Sequence, residues 1–131
     1  MLYTKCIHSP IEPADGYRIS VMSRHTLNDG KTPDPRITDE SFQWHMRGLA
    51  PPIRLLGDYY KRGMPWERFE ARYREFLDHR DQKVHIVNLA RYGLRAAHTI
   101  LCVEPTPEQC HRRLIAEACK RVEPRLEIIV R

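Results

Sequence analysis

The sequence predicts an α/β fold, one domain over residues 1–131 with a small, largely parallel sheet flanked by helices. Short β-prone runs alternate with longer stretches of helical periodicity, the pattern left by strands joined through helical crossovers. The clearest helix, "MPWERFEARYREFL", separates two early β-prone runs from a later pair, "HTILCV" and "LEIIV". At 131 residues the chain can bury roughly two-thirds of its unfolded surface as one domain and is too short for two ordinary ones.

Taken in order, "LYTKCI" and "YRISVMS" read as strands, separated by "HSPIEPADG", whose proline and Asp-Gly mark a loop. "RHTLNDGKTPDPRIT" has two prolines, Asn-Asp-Gly and almost no apolar periodicity. It is a loop of about 15 residues, a length that compact domains reserve for functional or mobile segments. Its Pro, Asp and Gly content predicts an exposed segment near the sheet's carboxyl edge. Thr38 then offers an N-cap to a helix carrying Phe42, Met46 and Leu49, with Asp39 and Glu40 suited to its first turn. "PPIRLLGDYYKRG" is a second short helix. In the next one Pro65 suits the first position, and Trp66, Phe69, Tyr73, Phe76 and Leu77 share a core-facing stripe. "QKVHIVNLARYGLR" continues as a helix ending near Gly93, although "KVHIV" also alternates like a strand. "HTILCV" is a buried strand, "TPEQCHRRLIAEACKRV" a helix, Pro124 a stop and "LEIIV" the last strand.

Composition narrows the class. The 41% hydrophobic and 30% charged content are globular, and no apolar run approaches the ~20 residues of a membrane-spanning helix. "MLYTKCIHSP" lacks the apolar core and cleavage site of a secretory signal, so the expected location is cytoplasmic, with no membrane partner. Four cysteines without a C-x-x-C pair imply reduced thiols. The net charge of +5 is uneven: residues 1–60 hold seven basic and seven acidic side chains, residues 61–95 nine and five. Such a surplus favours anionic partners, while interleaved glutamates at helical spacing equally describe a solvated face.

The chemistry concentrates in "LCVEPTPEQCHRRLIAEACK". Thr106, Pro107 and Gln109 make a T-x-x-Q helix start, which places Glu104 at the carboxyl end of a strand and Cys110 in the helix's first turns. Open α/β sheets bind ligands at such positions. Cys110 fits two roles. A thiol there is activated by the helix dipole and by adjacent His111 and Arg112, whereas the i, i+4 spacing of Cys110, Leu114 and Ala118 describes a core stripe. His111 and Arg112 need partners if buried, and Glu104 is the nearest acid in sequence; an ion pair tying helix to strand competes with a binding role. Cys102 lies mid-strand and reads as packing.

These residues carry a resemblance. "ILCVEPTPEQCHRRLIAEA" resembles the C-terminal signature of the domain-of-unknown-function family 488, a strand of the form LLC-x-E followed by a loop, Cys-His-Arg and a helix. "DGYRISVMSRHT" and "LAPPIRLLGDYYKRGMPWERFEARYREFL" are similar to a branch of that family with a DGyRv strand and a W-x-x-F-x-x-R-Y helix. After the second strand that branch's "DRlWPRG" is replaced by "MSRHTLNDG", leaving Arg24 as the counterpart of a motif arginine. The resemblance implies a compact α/β domain with a polar site at Glu104, Cys110, His111 and Arg112, completed by Arg24. It implies no reaction.

Two functional readings follow. In the first the protein is a small enzyme or ligand-binding domain for an anionic, phosphorylated or nucleotide-like small molecule: Arg24 and Arg112 hold the anion, Glu104 or His111 moves a proton, and Cys110 is nucleophile or packing. Neither G-x-x-x-x-G-K-S/T nor G-x-G-x-x-G is present, which argues against a dinucleotide or P-loop nucleotide enzyme and leaves the cofactor unknown. In the second, Lys61, Arg62, Arg68, Arg72 and Arg74 bind nucleic acid weakly and with strong salt dependence, although the aromatics lie on the core face. No metal site is expected, because His8, His25, His45, His79, His85, His98 and His111 form no H-x-x-x-H or comparable cluster.

Overall fold

In a computed structural model that describes residues Met1–Arg131, five strands form one sheet: β1 (Leu2–Cys6), β2 (Tyr17–Ser20), β3 (Trp44–His45), β4 (His98–Cys102) and β5 (Ile128–Val130). Their order is β3-β2-β4-β1-β5, and every pairing is parallel. Four helices accompany them: α1 (Ile53–Tyr60), α2 (Trp66–Leu77), α3 (Arg80–Arg95) and α4 (His111–Val122). None is long and apolar enough to cross a membrane.

Side chains alternate between the faces of a strand, so the register divides the sheet into two unlike surfaces. Leu2, Ile19 and Ile100 share one face and are fully buried in a core with Leu55 of α1, Phe69 and Tyr73 of α2, Ile86 and Leu89 of α3, and Leu114 and Ile115 of α4. All four helices thus cover that face. The other face presents Lys5, Arg18, Ser20 and Thr99, and irregular chain covers it. Asp15, at the end of a short 3-10 turn, accepts from Lys5 Nζ at 2.9 Å and Arg18 Nη1 at 2.5 Å, and its carbonyl accepts from Thr99 Oγ1 at 2.7 Å. Arg18 Nε reaches the Ser41 carbonyl at 2.7 Å. Gly16, which follows, turns the chain into β2 at φ +62°, and a Cβ there would lie 2.0 Å from the Ala97 carbonyl oxygen, so only glycine fits.

The helix expected from Thr38 does not form. Thr38 Oγ1 accepts from the Glu40 amide and Ser41 Oγ from the Thr38 amide, a local turn, and the chain then runs into β3. Pairing decides this: the Gln43 and Met46 amides donate to the Arg18 and Ser20 carbonyls at 2.9 Å, satisfying the open edge of β2, a demand that the Phe42, Met46, Leu49 spacing does not register. "KVHIV" lies inside α3 and is helical. Gly93 does not end that helix; a Cβ there would meet Leu126 Cδ1 at 2.8 Å, so it permits close packing. Pro65 is the N-cap of α2, one residue ahead of the expected position. The start of α4 also differs from expectation: Thr106–Gln109 form bends and a turn, Cys110 is extended (φ −138°, ψ 139°) as the N-cap, and the helix begins at His111. The Cys110 amide donates to the Pro107 carbonyl at 3.2 Å, which closes a separate turn ahead of the helix.

Candidate functional site

The strand order fixes where a ligand crevice can open. From β2 the chain proceeds outward to β3, and from β4 it proceeds the other way, past β1 to β5, so the connections diverge above the carboxyl ends of β2 and β4. His111, the first residue of α4, bridges this point. Its Nε2 lies 2.9 Å from the Val21 carbonyl just beyond β2, and its Nδ1 lies 3.5 Å from Cys102 Sγ at the end of β4. A carbonyl can only accept, so Nε2 carries the proton and Nδ1 faces the thiol with its lone pair. The Tyr73 ring meets the imidazole edge-on at 5.6 Å. Cys110 completes the group, and the ligating atoms of Cys102, Cys110 and His111 all lie within 4.8 Å of one another.

Each predicted residue has a different fate here. Cys110 is 1% exposed, and burial together with its hydrogen bond to Cys102 pushes its thiol well above the usual range, so it is a neutral thiol and not an activated nucleophile. Arg112 is fully buried and does not hold an open anion site. Its Nη1 donates to the Glu104 carbonyl at 2.7 Å and to Cys110 Sγ at 3.2 Å, while Nε and Nη2 reach the Arg131 main-chain oxygen at 3.3 and 3.1 Å. It clasps the exit of β4 to the end of β5. The Glu104 carboxylate pairs with neither His111 nor Arg112; it accepts from Tyr60 Oη at 2.5 Å, and burial with that bond raises the tyrosine above its ordinary range. Arg24 is exposed and donates to the Gly30 carbonyl within its own loop at 3.3 Å. That loop is largely exposed, as expected, and does reach the carboxyl edge: a cleft of about 380 Å³ lies between its Thr26, Asp29, Asp34 and Arg36 and Val103, the residue after β4.

Sequence reasoning missed a second polar cluster on the opposite face of β2. Parallel pairing sets His45 beside Ser20, and the loop after β2 folds His25 over both. Ser20 Oγ and His25 Nε2 are 2.7 Å apart, His25 and His45 stack at 4.3 Å, His45 Nε2 donates to the Met22 carbonyl at 2.6 Å, and Arg47 Nε lies 3.4 Å from His45 Nδ1. Phe42 packs on His25 at 4.7 Å. Burial, then the neighbouring His45 and Arg47, push His25 down to about 4. The ring is therefore neutral near pH 7, and it shares one proton with the Ser20 hydroxyl across the 2.7 Å contact. The only sequence signal was the coincidence of histidines following two β-prone positions, invisible until the register of β3 is known.

The depressed His25 has a measurable consequence. The unfolded ring binds a proton below about 6.5 and the folded ring only below about 4, so its contribution is complete above pH 6.5 and is lost as pH falls through that window. The ring is half-exposed, and solvent screening reduces the effect to about 1–2 kcal/mol. Urea titrations of wild type and His25→Gln between pH 7 and 4 should therefore converge by that amount; parallel curves would contradict the assignment.

A family model described as the active DUF488-N3 subclade matches residues 2–122, nearly the whole chain. No curated protein and no solved structure matches.

Proposed function

Starting from a chain that belongs to the DUF488 family, we propose a small enzyme that binds an anionic, phosphorylated or nucleotide-like small molecule over the carboxyl ends of β2, β3 and β4. The observation that carries this reading is the contact chain Ser20–His25–His45–Arg47 at the divergence of the strand connections. Arg47 is the cation placed to meet the ligand, a role the sequence had given to Arg24 and Arg112. An anion beside it offsets the positive charge that depresses His25, so ligand binding makes that ring a better base at the moment it is needed. Glu104, oriented by Tyr60 beyond the end of β4, is a second group able to move a proton. The family description, with its word "active", supports a catalytic role and names no substrate.

Nucleic-acid binding by the helices ranks below this. Arg62 and Arg72 face Asp58, and Arg74 shares Glu70 and Glu117 with Arg113, so three of the five basic residues are already paired with carboxylates. Calorimetric titration with inorganic phosphate and adenosine 5′-monophosphate tests the choice. Binding that weakens about tenfold or more in Arg47→Ala and is unchanged in Arg72→Ala supports the β2–β3 site. Binding lost in the Arg72 variant alone would move the function to the helices.

A further inference from the structure

We propose that Cys102, Cys110 and His111 form a binding site for one zinc ion, held by two thiolates and one imidazole nitrogen. This goes beyond the anion site, which lies on the other face of β2 and shares no residue with it.

Three features of the geometry point to a metal. First, the three ligating atoms converge within 4.8 Å in a buried position, and no carboxylate competes for them there. Zinc bonds of about 2.3 Å to sulfur and about 2.0–2.1 Å to nitrogen set a tetrahedral edge of about 3.5 Å between the two donors. Cys102 Sγ and His111 Nδ1 already stand 3.5 Å apart. Second, His111 is oriented as metal-binding histidines are. One nitrogen donates to a main-chain carbonyl, at Val21, which fixes the tautomer and turns the other lone pair toward the sulfurs. Third, Arg112 Nη1 donates to Cys110 Sγ at 3.2 Å, a hydrogen bond the sulfur can keep when a metal replaces its proton. The donors come from the end of one strand and the start of one helix, elements already joined through the Arg112 clasp.

The charges and protons balance. Zn²⁺ enters, the Cys102 and Cys110 S–H protons pass to buffer, and two Zn–S bonds and one Zn–N bond form, with His111 neutral throughout. A dication with two thiolates has no net charge, which suits a buried position. Three protein ligands leave a fourth position for water or an exogenous ligand, the arrangement of catalytic rather than structural zinc. Histidine spacing could not reveal this site, because two of its donors are cysteines eight residues apart and the third follows the second directly.

The test is titration of the whole chelator-treated, reduced protein with Co²⁺, followed by Zn²⁺. The expected result is a near-ultraviolet thiolate-to-cobalt band and tetrahedral visible bands that saturate at one equivalent and vanish when one equivalent of zinc is added. Cys102→Ser and Cys110→Ser should abolish the charge-transfer band, while Cys6→Ser and Cys119→Ser keep it. Because a core variant can fail to fold, alkylation of the wild-type protein followed by mass spectrometry provides a second reading, with zinc protecting Cys102 and Cys110 selectively. Absence of the band at one equivalent, or protection confined to Cys6 or Cys119, would overturn the site.

Discussion

Asp15→Ala is expected to destabilise the protein by about 3–5 kcal/mol, because it removes the one carboxylate that pairs with buried Arg18 and one of the two that pair with Lys5. Arg18 is 1% exposed and Lys5 7%, and both point at this carboxylate, from β2 and β1 on either side of β4. Arg18 already has one nitrogen, Nη2, without a hydrogen-bond partner, and Lys5 would keep only Glu12 and the Pro10 carbonyl. By contrast Arg62–Asp58 is a surface pair, whose loss is worth about 0–1 kcal/mol. The acid also sets a pH dependence. Burial raises its pKa, but the hydrogen bonds from Lys5, the Glu12 amide and Arg18 outweigh burial and hold the carboxyl below its ordinary range. Its contribution is thus present above the ordinary carboxylate pKa and is lost as pH falls through the folded value. Urea denaturation of Asp15→Ala and Asp58→Ala at neutral pH provides the comparison; equal small losses would show that the polar face is solvated and the cluster incidental.

Arg112→Ala should cost about 3 kcal/mol or more, for a different reason. Its guanidinium makes no contact with a side-chain carboxylate and instead supplies donors to the Glu104 carbonyl, Cys110 Sγ and the Arg131 main-chain oxygen. Truncation leaves these acceptors unsatisfied and opens a cavity the size of a large side chain. Arg112→Lys should recover little, since a single ammonium cannot span three acceptors in a plane. A variant of near wild-type stability would mean that the clasp is open in solution and Arg112 free for a ligand.

Much of the fold was legible because burial on the helical side follows simple periodicity. The Phe69, Tyr73, Leu77 stripe, the apolar run of β4 and the terminal "LEIIV" each bury the side chains that their spacing predicts. Failures cluster where non-local partners decide. β3 is two residues long and exists because β2 has an unpaired edge, a demand carried by residues more than twenty positions away. The site was half legible. The stretch around His111 does converge at the switch in strand order, but Cys102, read as packing, lies 3.5 Å from its imidazole, and Glu104 turns to Tyr60. A buried Asp15–Arg18 pair is not a pattern that alternation can announce. The "DGYRIS" strand carried it in plain view, as an ordinary loop and edge.

The central claim is that an anion binds beside Arg47 and His45 and changes the proton affinity of His25. The most direct measurement is the titration of the histidine imidazole signals by NMR, in sulfate-free buffer and in saturating sodium sulfate, an anion that stays fully charged over the working range. The His25 midpoint, about 4 without the anion, should move upward in sulfate. In Arg47→Ala the midpoint should start higher and respond weakly. A His25 midpoint that is unchanged by sulfate, while the protein remains folded, would contradict the assignment of this face as the ligand site.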